Sequence, residues 1–187
     1  MRTFSVDELK REGERGGRDA FLARHKAPFL VLDTMGGDSD SEVFATVGGV
    51  QRTPRTVISD GQAPSPRVRA AVVEKRKGAN EFANMITVGR AGNNDIALEI
   101  SSISKFHAYF TKDPQDGLWY LHEAGSSNGT WIDGERLAAS QGRAKLREGA
   151  AIQLGPDARA RFFQPQALFE LLVPGAGGAE PPRAPRT

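Results

Sequence analysis

The chain has 187 residues, of which 39% are apolar and 26% are charged, a balance typical of one globular domain with flanking segments. It has no cysteine, so disulfide frameworks and thiolate chemistry are excluded. The formal net charge is +2, and residues 81–187 carry 11 basic against 12 acidic side chains. We therefore predict no nucleic-acid partner, because binding by counterion release requires a concentrated basic face.

The chain lacks the hydrophobic segments that targeting to membranes requires. It has no run of about 18 apolar residues and no charged-then-apolar leader with a cleavage site. We expect neither a membrane span nor a secretory signal, and no membrane partner. Together with the absence of cysteine, this predicts a cytoplasmic protein.

Two short helices are predicted near the N-terminus. Ser5 and Glu8 form a capping box, in which each side chain can bond the other residue's backbone N–H, so a helix should begin there. Three glycines, the last of them Gly17, interrupt the pattern. A second helical piece over residues 18–25 should end before Pro28.

One apolar run of strand length, Phe29–Leu32, follows these helices, and weaker extended candidates lie at residues 43–47 and 56–58. Polar residues, glycine and proline between them indicate loop or linker, and a boundary is predicted near Pro66. We interpret residues 1–65 as an N-terminal extension of short helices, a possible strand and a linker.

A succession of short extended runs begins after Pro66, with turn residues between nearly all of them. The runs cover residues 68–73, 85–88, 95–98, 107–111, 118–122, 130–132, 151–154 and 159–163. Strands of this length and spacing favour an all-β sandwich or barrel. The pairs Asp116-Gly117 and Asp133-Gly134 predict hairpin turns.

The C-terminal residues change character twice. Residues 165–172 have the apolar spacing of a short amphipathic helix that packs on the β domain. The tail over residues 174–187 is rich in glycine, alanine and proline and is predicted to be disordered.

Three separate loop segments carry side chains that suit a phosphate ester. They contain the pair Gly89-Arg90, the run Ser104 to His107, and the run Gly125 to Thr130. Hydroxyls, one planar guanidinium, a free amide and glycine turns can hold phosphate oxygens. No base, acid or metal cluster accompanies them, so we predict a protein that reads phosphate groups without catalysis, cofactor or metal.

Five ordered segments resemble a forkhead-associated (FHA) domain. They are ITVGR (86–90), NNDI (93–96), ISKFHA (103–108), GSSNGT (125–130) and LREGAAIQLG (146–155). The resemblance covers residues 66–173. It implies an all-β sandwich of two antiparallel sheets with a short C-terminal helix, whose loops at one end bind phosphothreonine peptides. The implied role is that of an intracellular adaptor, and the implied partner is a Ser/Thr kinase or its phosphorylated substrate.

The resemblance also implies roles for five binding residues. Arg90 would make paired, charge-assisted bonds to phosphate oxygens. Ser104 would donate its hydroxyl to the phosphate, and Lys105 would add a mobile positive charge. Ser127 matches a family threonine that contacts the phosphate, and Asn128 matches an asparagine that bonds the main chain of the peptide.

Four further residues are expected to support this site. Gly89 precedes the arginine, and His107 matches a scaffold histidine that holds the phosphate loop by hydrogen bonds. Gly129 fits a backbone conformation with positive φ, and Thr130 begins the next strand. For Arg90 itself a purely structural alternative exists, an ion pair with Asp95 or Glu99.

Two departures from the family pattern qualify the expectation. Ala150 stands where the family often has aspartate, and Ser127 lacks a methyl group that would help to select threonine. An alternative function therefore stays open, in which the same fold is a structural interaction module that binds its partner independently of phosphate. Turnover at this end of the domain would be a third possibility, although no base and nucleophile are paired.

Overall fold

The computed structural model describes residues 1–34, 68–138 and 142–175. The described residues form twelve strands and two helices, arranged as two facing β-sheets with both helices on the outer face of the larger sheet. The weak strand candidates at 43–47 and 56–58, the predicted boundary at residue 66 and the tail from residue 176 lie outside the described residues.

The larger sheet has seven strands, and all its neighbours are antiparallel. In spatial order they are β1 (Thr3–Ser5), β3 (Val68–Val72), β2 (Phe29–Thr34), β12 (Ala158–Phe163), β11 (Ala151–Leu154), β8 (Thr130–Ile132) and β9 (Glu135–Leu137). The smaller sheet contains β10 (Arg143–Lys145), β7 (Trp119–Glu123), β6 (Ala108–Lys112), β4 (Ile86–Gly89) and β5 (Ile96–Ala97). Within it, β4 and β5 pair in parallel and the other neighbours are antiparallel. The predicted β-sandwich is confirmed.

The main core lies between the two sheets and follows from the two-residue period of the strands. In β12, Ala158, Ala160 and Phe162 are buried, whereas Arg159 between them is exposed. Phe162 stacks on Phe110 of the opposite sheet, with ring centroids 6.3 Å apart. Contacts of this kind join the two layers and exclude water from the space between them.

Strand β2 has apolar residues on both faces because both faces are covered. Leu30 and Leu32 point into the main core, and Phe29 and Val31 pack against the helical side. The strand lies between β3 and β12, in the interior of the larger sheet. The run that the sequence places in an N-terminal extension is thus an interior strand of the sandwich. Its unbroken apolar character is what two-sided burial requires.

The helices form a second, smaller core on the outer face of the larger sheet. This core contains Leu9 and Phe21 of helix α1 (Val6–Arg24), Phe29, Ala70 and Val72 of the sheet, and Leu168 and Phe169 of helix α2 (Pro165–Leu172). The two helices are close enough that a side chain at position 13 would lie 2.9 Å from Val173, so Gly13 fits where larger residues would not.

The predicted capping box of the N-terminal helix is confirmed, whereas of the three glycines expected to interrupt the helix only the last does so. Ser5 Oγ accepts from the Glu8 N–H at 3.1 Å, and Glu8 accepts from the Ser5 N–H at 2.7 Å, which is a complete capping box. Gly17, with φ of 69° and ψ of 178°, separates two helical pieces. The C-terminal helix spans Pro165–Leu172, as predicted from the apolar spacing.

The hairpin turns lie where the sequence predicts them, but three short strands were not predicted. Asp133 and Gly134 have φ values of 53° and 87°, which suit the tight turn between β8 and β9. Strands β1, β9 and β10 were not predicted. They are three residues long, polar and at sheet edges, where hydrophobic alternation is weak.

We predict that Phe169→Ala will lower the free energy of unfolding by about 3–5 kcal/mol, the usual cost of deleting a fully buried phenyl ring. Phe169 is 0% exposed and packs against Phe21 at a centroid distance of 5.5 Å. Urea unfolding monitored by circular dichroism measures the change. Leu171→Ala, on the same helix but 45% exposed, is the matched control and should change stability by less than about 0.5 kcal/mol. If Phe169→Ala lowered the free energy of unfolding by less than about 1 kcal/mol, packing of the helices would not contribute to the stability of the sandwich.

Candidate phosphate-binding end of the sandwich

Three loops meet at one end of the sandwich because of the strand directions. The first leaves the C-terminal end of β4, and the second enters β6, its antiparallel neighbour. The third joins the end of β7 to the start of β8 and so crosses from one sheet to the other. Every predicted binding residue lies on one of these loops.

Arg90 follows β4 directly and is held at its base. Its backbone N–H donates to the Ser104 carbonyl at 2.9 Å, and its Nε donates to the Ile103 carbonyl at 3.2 Å. The side chain is exposed, and within the described residues its two Nη groups have no hydrogen-bond or ion-pair partner. The structural alternative of an ion pair with Asp95 or Glu99 is not what the structure shows: Asp95 pairs with Lys75.

The two serines of the site are in direct contact. The Ser104 hydroxyl accepts from the Ser127 backbone N–H at 3.0 Å, and the two hydroxyl oxygens are 3.5 Å apart. Residues 23 positions apart in the chain are therefore side by side. Since the Arg90 main chain and Nε bond the carbonyls of Ser104 and its predecessor, the guanidinium and both hydroxyls share one small region.

Asn128 and Lys105 are exposed at the edges of this region. The Asn128 Nδ2 donates to the Ser102 carbonyl at 2.7 Å, which leaves its Oδ1 and one N–H without a partner in the described chain. The Lys105 carbonyl accepts from the Ala91 N–H at 3.2 Å, whereas its ammonium makes no contact with an acid among the described residues.

His107 is buried beneath the surface of this end and connects the second and third loops by hydrogen bonds. It is fully buried, its Nδ1 accepts from the Ser104 N–H at 3.1 Å, and its Nε2 lies 3.0 Å from the Gly129 carbonyl. The ring must therefore be neutral with its proton on Nε2, because Nδ1 faces a donor and Nε2 faces an acceptor. Burial lowers the pKa of His107, although the Gly129 carbonyl and the charge of Glu123 act in the opposite direction.

Glycine is required at two places for different reasons. A side-chain carbon at position 89 would collide with the Lys105 carbonyl, so Gly89 permits the close approach of the first two loops. Gly129 has φ of 85°, and a side chain there would also lie 3.1 Å from Trp131 and Arg136. Thr130 follows it as the buried first residue of β8.

Asn94 is a supporting residue to which the sequence reasoning assigned no role. Its side-chain Nδ2 donates to the carbonyls of Ala91 at 2.8 Å and Lys105 at 2.6 Å. It is buried, and its two bonds tie the turn that follows Arg90 to the second loop. The Asn-Asn-Asp run at residues 93–95 contributed to the family resemblance, but it did not by itself indicate a role for Asn94.

Asp95 is the centre of a buried polar cluster beneath the same turn. Its carboxylate accepts from the Thr87 N–H at 2.9 Å, from the Arg76 N–H at 2.8 Å and from the Lys75 ammonium at 2.9 Å. Burial opposes ionisation, but these donors and Asn80 outweigh it and lower the pKa of Asp95 to about 2. The cluster fixes the segment 75–82 against the candidate phosphate-binding end.

The side chains exposed at this end are of the types that can bond an anion. Two cations and two hydroxyls are free or partly free at the surface, while the only histidine nearby has both ring nitrogens engaged. The described residues contain no group of three His, Cys, Asp or Glu side chains that could hold a metal ion. Neither described helix is long and apolar enough to cross a membrane.

We expect the imidazole of His107 to be neutral at pH 7, with its proton on Nε2, since burial lowers its pKa below the ordinary value. Long-range ¹H–¹⁵N NMR of the ring identifies the tautomer. The unfolded chain binds this proton first, so the stability associated with His107 should decrease as the pH falls below about 6.5. His107→Gln should flatten that part of the curve, and a protonated ring at pH 7 would contradict the bridging arrangement.

Asp95 should make stability acid-sensitive over a lower range. Since its folded-state pKa of about 2 lies below its ordinary 3.8, its contribution is complete above pH 4 and is lost as the pH falls to 2. This loss should be about 2 kcal/mol. Urea unfolding of wild type and Asp95→Asn across this range measures it: the acid-induced loss should be smaller in the variant by that amount. Parallel curves would show that Asp95 is not ionised in the folded protein.

Comparison with known proteins agrees with this architecture. The FHA domain model matches residues 86–155. The E3 ubiquitin-protein ligase DMA2 of Saccharomyces cerevisiae is 34% identical over 67 residues, which are 34% of this chain and 13% of that protein. The oxoglutarate dehydrogenase inhibitor of Corynebacterium diphtheriae is 28% identical over 103 residues, or 52% of this chain and 68% of that protein.

A similar solved structure is that of Mycobacterium tuberculosis EmbR in complex with a low affinity phosphopeptide. It is 26% identical, covers 44% of this chain and 20% of that chain, and has a TM-score of 0.38. The chain thus spans only a small part of the yeast ligase and of EmbR. The five sequence segments and the family match lead to one conclusion: residues 86–155 of this chain match the FHA domain family.

Proposed function

We propose that this protein is a non-enzymatic adaptor that binds phosphothreonine-containing segments of proteins in intracellular Ser/Thr kinase signalling. FHA domains are interaction modules as a class, which supports binding over catalysis. The observation that carries the proposal is the contact between Ser104 and Ser127 beside a guanidinium whose Nη groups have no partner among the described residues.

In this proposal Arg90 is the phosphate anchor. Its Nε is already fixed on the Ile103 carbonyl, so the outward Nη groups could bond phosphate oxygens with little loss of side-chain entropy. Charge-assisted bonds of this kind are about twice as strong as neutral ones. The planar group also matches a phosphate better than a lysine would.

The two serines complete the phosphate contacts. The Ser104 hydroxyl is already positioned by the Ser127 N–H, and both hydroxyls can rotate to donate to phosphate oxygens. Lys105 adds a flexible charge at the edge, so its contribution should depend strongly on salt. Asn128 is held by the Ser102 carbonyl and presents its free amide groups to the main chain of an extended peptide.

The proposed partner is a protein phosphorylated on threonine, either a Ser/Thr kinase or a substrate of one. His107 and Gly129 would act indirectly, since they hold the serine-bearing loops at a fixed separation. The rival function, an interaction module indifferent to phosphate, makes a different prediction for the same peptides.

We predict that a phosphothreonine peptide binds more tightly than its unphosphorylated twin, and that Arg90→Ala weakens phosphopeptide binding by about 2 kcal/mol or more, roughly 30-fold. Isothermal titration calorimetry on paired peptides, drawn from a phosphopeptide-library pull-down, measures both effects. Arg159→Ala is the matched control, because Arg159 is an exposed arginine on the outer face of the larger sheet.

The outcomes separate the two functions. Equal affinities for the paired peptides would favour the phosphate-independent module. Phosphate-dependent binding with a loss below about threefold in Arg90→Ala would show that another residue is the anchor.

A further inference from the structure

The helices cover only part of the outer face of the larger sheet. They pack on β2, β3 and the C-terminal end of β12, where Phe163 contacts the second core. On the remaining part of the face, four side chains lie next to one another across four strands, because they are successive register partners. They are Arg136 of β9, Trp131 of β8, Gln153 of β11 and Arg159 of β12, and we call them the arginine row.

The arginine row faces away from the core because side chains alternate along each strand. Gln153 lies between core residues of β11, and Arg159 lies between core residues of β12. Both arginines are exposed, whereas Trp131 and Gln153 are half-buried between them. The row therefore presents an aromatic ring and an amide, flanked by two exposed guanidinium groups.

The two guanidinium groups of the row form no ion pair with the described side chains. Neither Arg136 nor Arg159 has an acidic partner in residues 1–34, 68–138 or 142–175. Asp133, an acid at the β8–β9 turn, is already engaged: its carboxylate accepts from a backbone N–H of β11 at 2.9 Å and pairs with Arg147 at 3.1 Å. The register partner of Arg159 on β2 is Asp33, so the basic stretch ends at β12. A ligand that pairs with both guanidinium groups therefore has to supply negative charge.

Arg136 is held in place by the ring beside it. Its guanidinium carbon lies 5.7 Å from the centroid of Trp131, which is a cation–π contact. A guanidinium group stacked on a ring keeps the N–H groups at its edge available for paired bonds to a carboxylate. A side chain at position 129 would lie 3.1 Å from the Arg136 Nε, so this end of the row adjoins Gly129 of the third loop. Arg159 lies three strands away from that end.

The spacing of the row fits an extended segment that crosses the strands. Neighbouring strands are about 4.8 Å apart, so the backbones of Arg136 and Arg159 are separated by about 14 Å. An extended peptide covers about 14 Å in four residues and points every second side chain to the same side. Two carboxylates four residues apart would therefore meet the two guanidinium groups. The side chain midway between them would lie on Trp131 and Gln153.

We infer that the arginine row is a second binding surface, for an extended acidic segment of a partner protein in which acids at the first and fifth positions flank an apolar residue at the third. The carboxylates pair with Arg136 and Arg159, and the apolar side chain packs on the ring of Trp131. A nucleic acid fits this surface less well, because binding to a phosphate backbone requires a larger concentration of cations, and residues 81–187 carry 11 basic against 12 acidic side chains. The inference goes beyond phosphothreonine recognition and does not depend on it, since the row lies on a sheet face and needs no phosphate.

Titration of an unphosphorylated peptide into the ¹⁵N-labelled full chain tests this inference. The probe is Gly-Glu-Thr-Leu-Thr-Glu-Gly with blocked ends, and the control peptide has the same composition with its two glutamates adjacent. We expect saturable NMR shifts of the Trp131 indole N–H and the Arg159 Nε–H. At low salt the probe should bind at least about threefold more tightly than the control peptide, since only the probe reaches both guanidinium groups.

Charge reversal identifies the surface that binds the probe. Arg159→Glu should weaken probe binding about fivefold or more, because it replaces an attraction by a repulsion. Lys145→Glu makes the same change of charge at an exposed position of the smaller sheet and should leave probe binding within about twofold. Arg159 lies outside the phosphate-binding loops, so phosphopeptide binding should be unchanged in Arg159→Glu. Circular dichroism checks that both variants are folded.

Several results would overturn the inference while leaving the proposed phosphothreonine recognition untouched. Equal affinities for the probe and the control peptide, or unchanged probe binding in Arg159→Glu, would show that the row does not recognise the spacing of the acids. Loss of probe binding in Arg90→Ala but not in Arg159→Glu would assign the peptide to the loops. Tighter binding of a seven-nucleotide single-stranded DNA than of the probe would assign the surface to nucleic acid. Probe binding that appears only after deletion of residues 38–42, whose first and last acids have the same spacing, would assign the row to a segment of this chain.

Discussion

The arrangement of the candidate binding end depends on one buried imidazole. His107 accepts from the Ser104 N–H and bonds the Gly129 carbonyl, and these two partners precede strands of different sheets. The strand directions bring the two loops to the same end of the sandwich, and the ring then sets the distance between them. An unpaired polar atom in this buried position would cost free energy, so loss of either bond would destabilise the folded state. This makes His107 a structural spacer and leaves it no free nitrogen for acid–base chemistry.

The surroundings of the site combine two kinds of support. Apolar packing between the sheets holds the strands, and polar bonds hold the loops that leave them. The Asp95 cluster supplies the polar bonds that hold the first loop and the segment that bears Phe82. One buried carboxylate therefore stabilises two parts of the surface. Such a cluster is sensitive to the loss of any member, since the remaining groups stay buried without partners.

Much of the fold could be predicted from the sequence because its strands are short, regularly spaced and separated by turn residues. The bounds of the strands that were predicted from Val68 onward agree within about two residues, since the two-residue period and the glycine turns are local signals. The placement of Phe29–Thr34 inside the larger sheet could not be predicted, because its partners are more than 30 and 120 residues away. At the site, the family resemblance supplied the candidate residues. The bonds of Asn94 and Asp95 depend on how loops approach one another, and no local pattern encodes that.

The interior position of β2 has a consequence for how the chain is synthesised. β2 pairs with β12, which is made some 130 residues later, and with β3 across residues 35–67. During translation the apolar residues on both sides of β2 have no complete partner until the C-terminal strand emerges, so the nascent chain is dominated by non-local contacts and should fold late. A fragment that began at residue 66 would lack this strand, and two unpaired sheet edges together with an uncovered apolar face would make it prone to association.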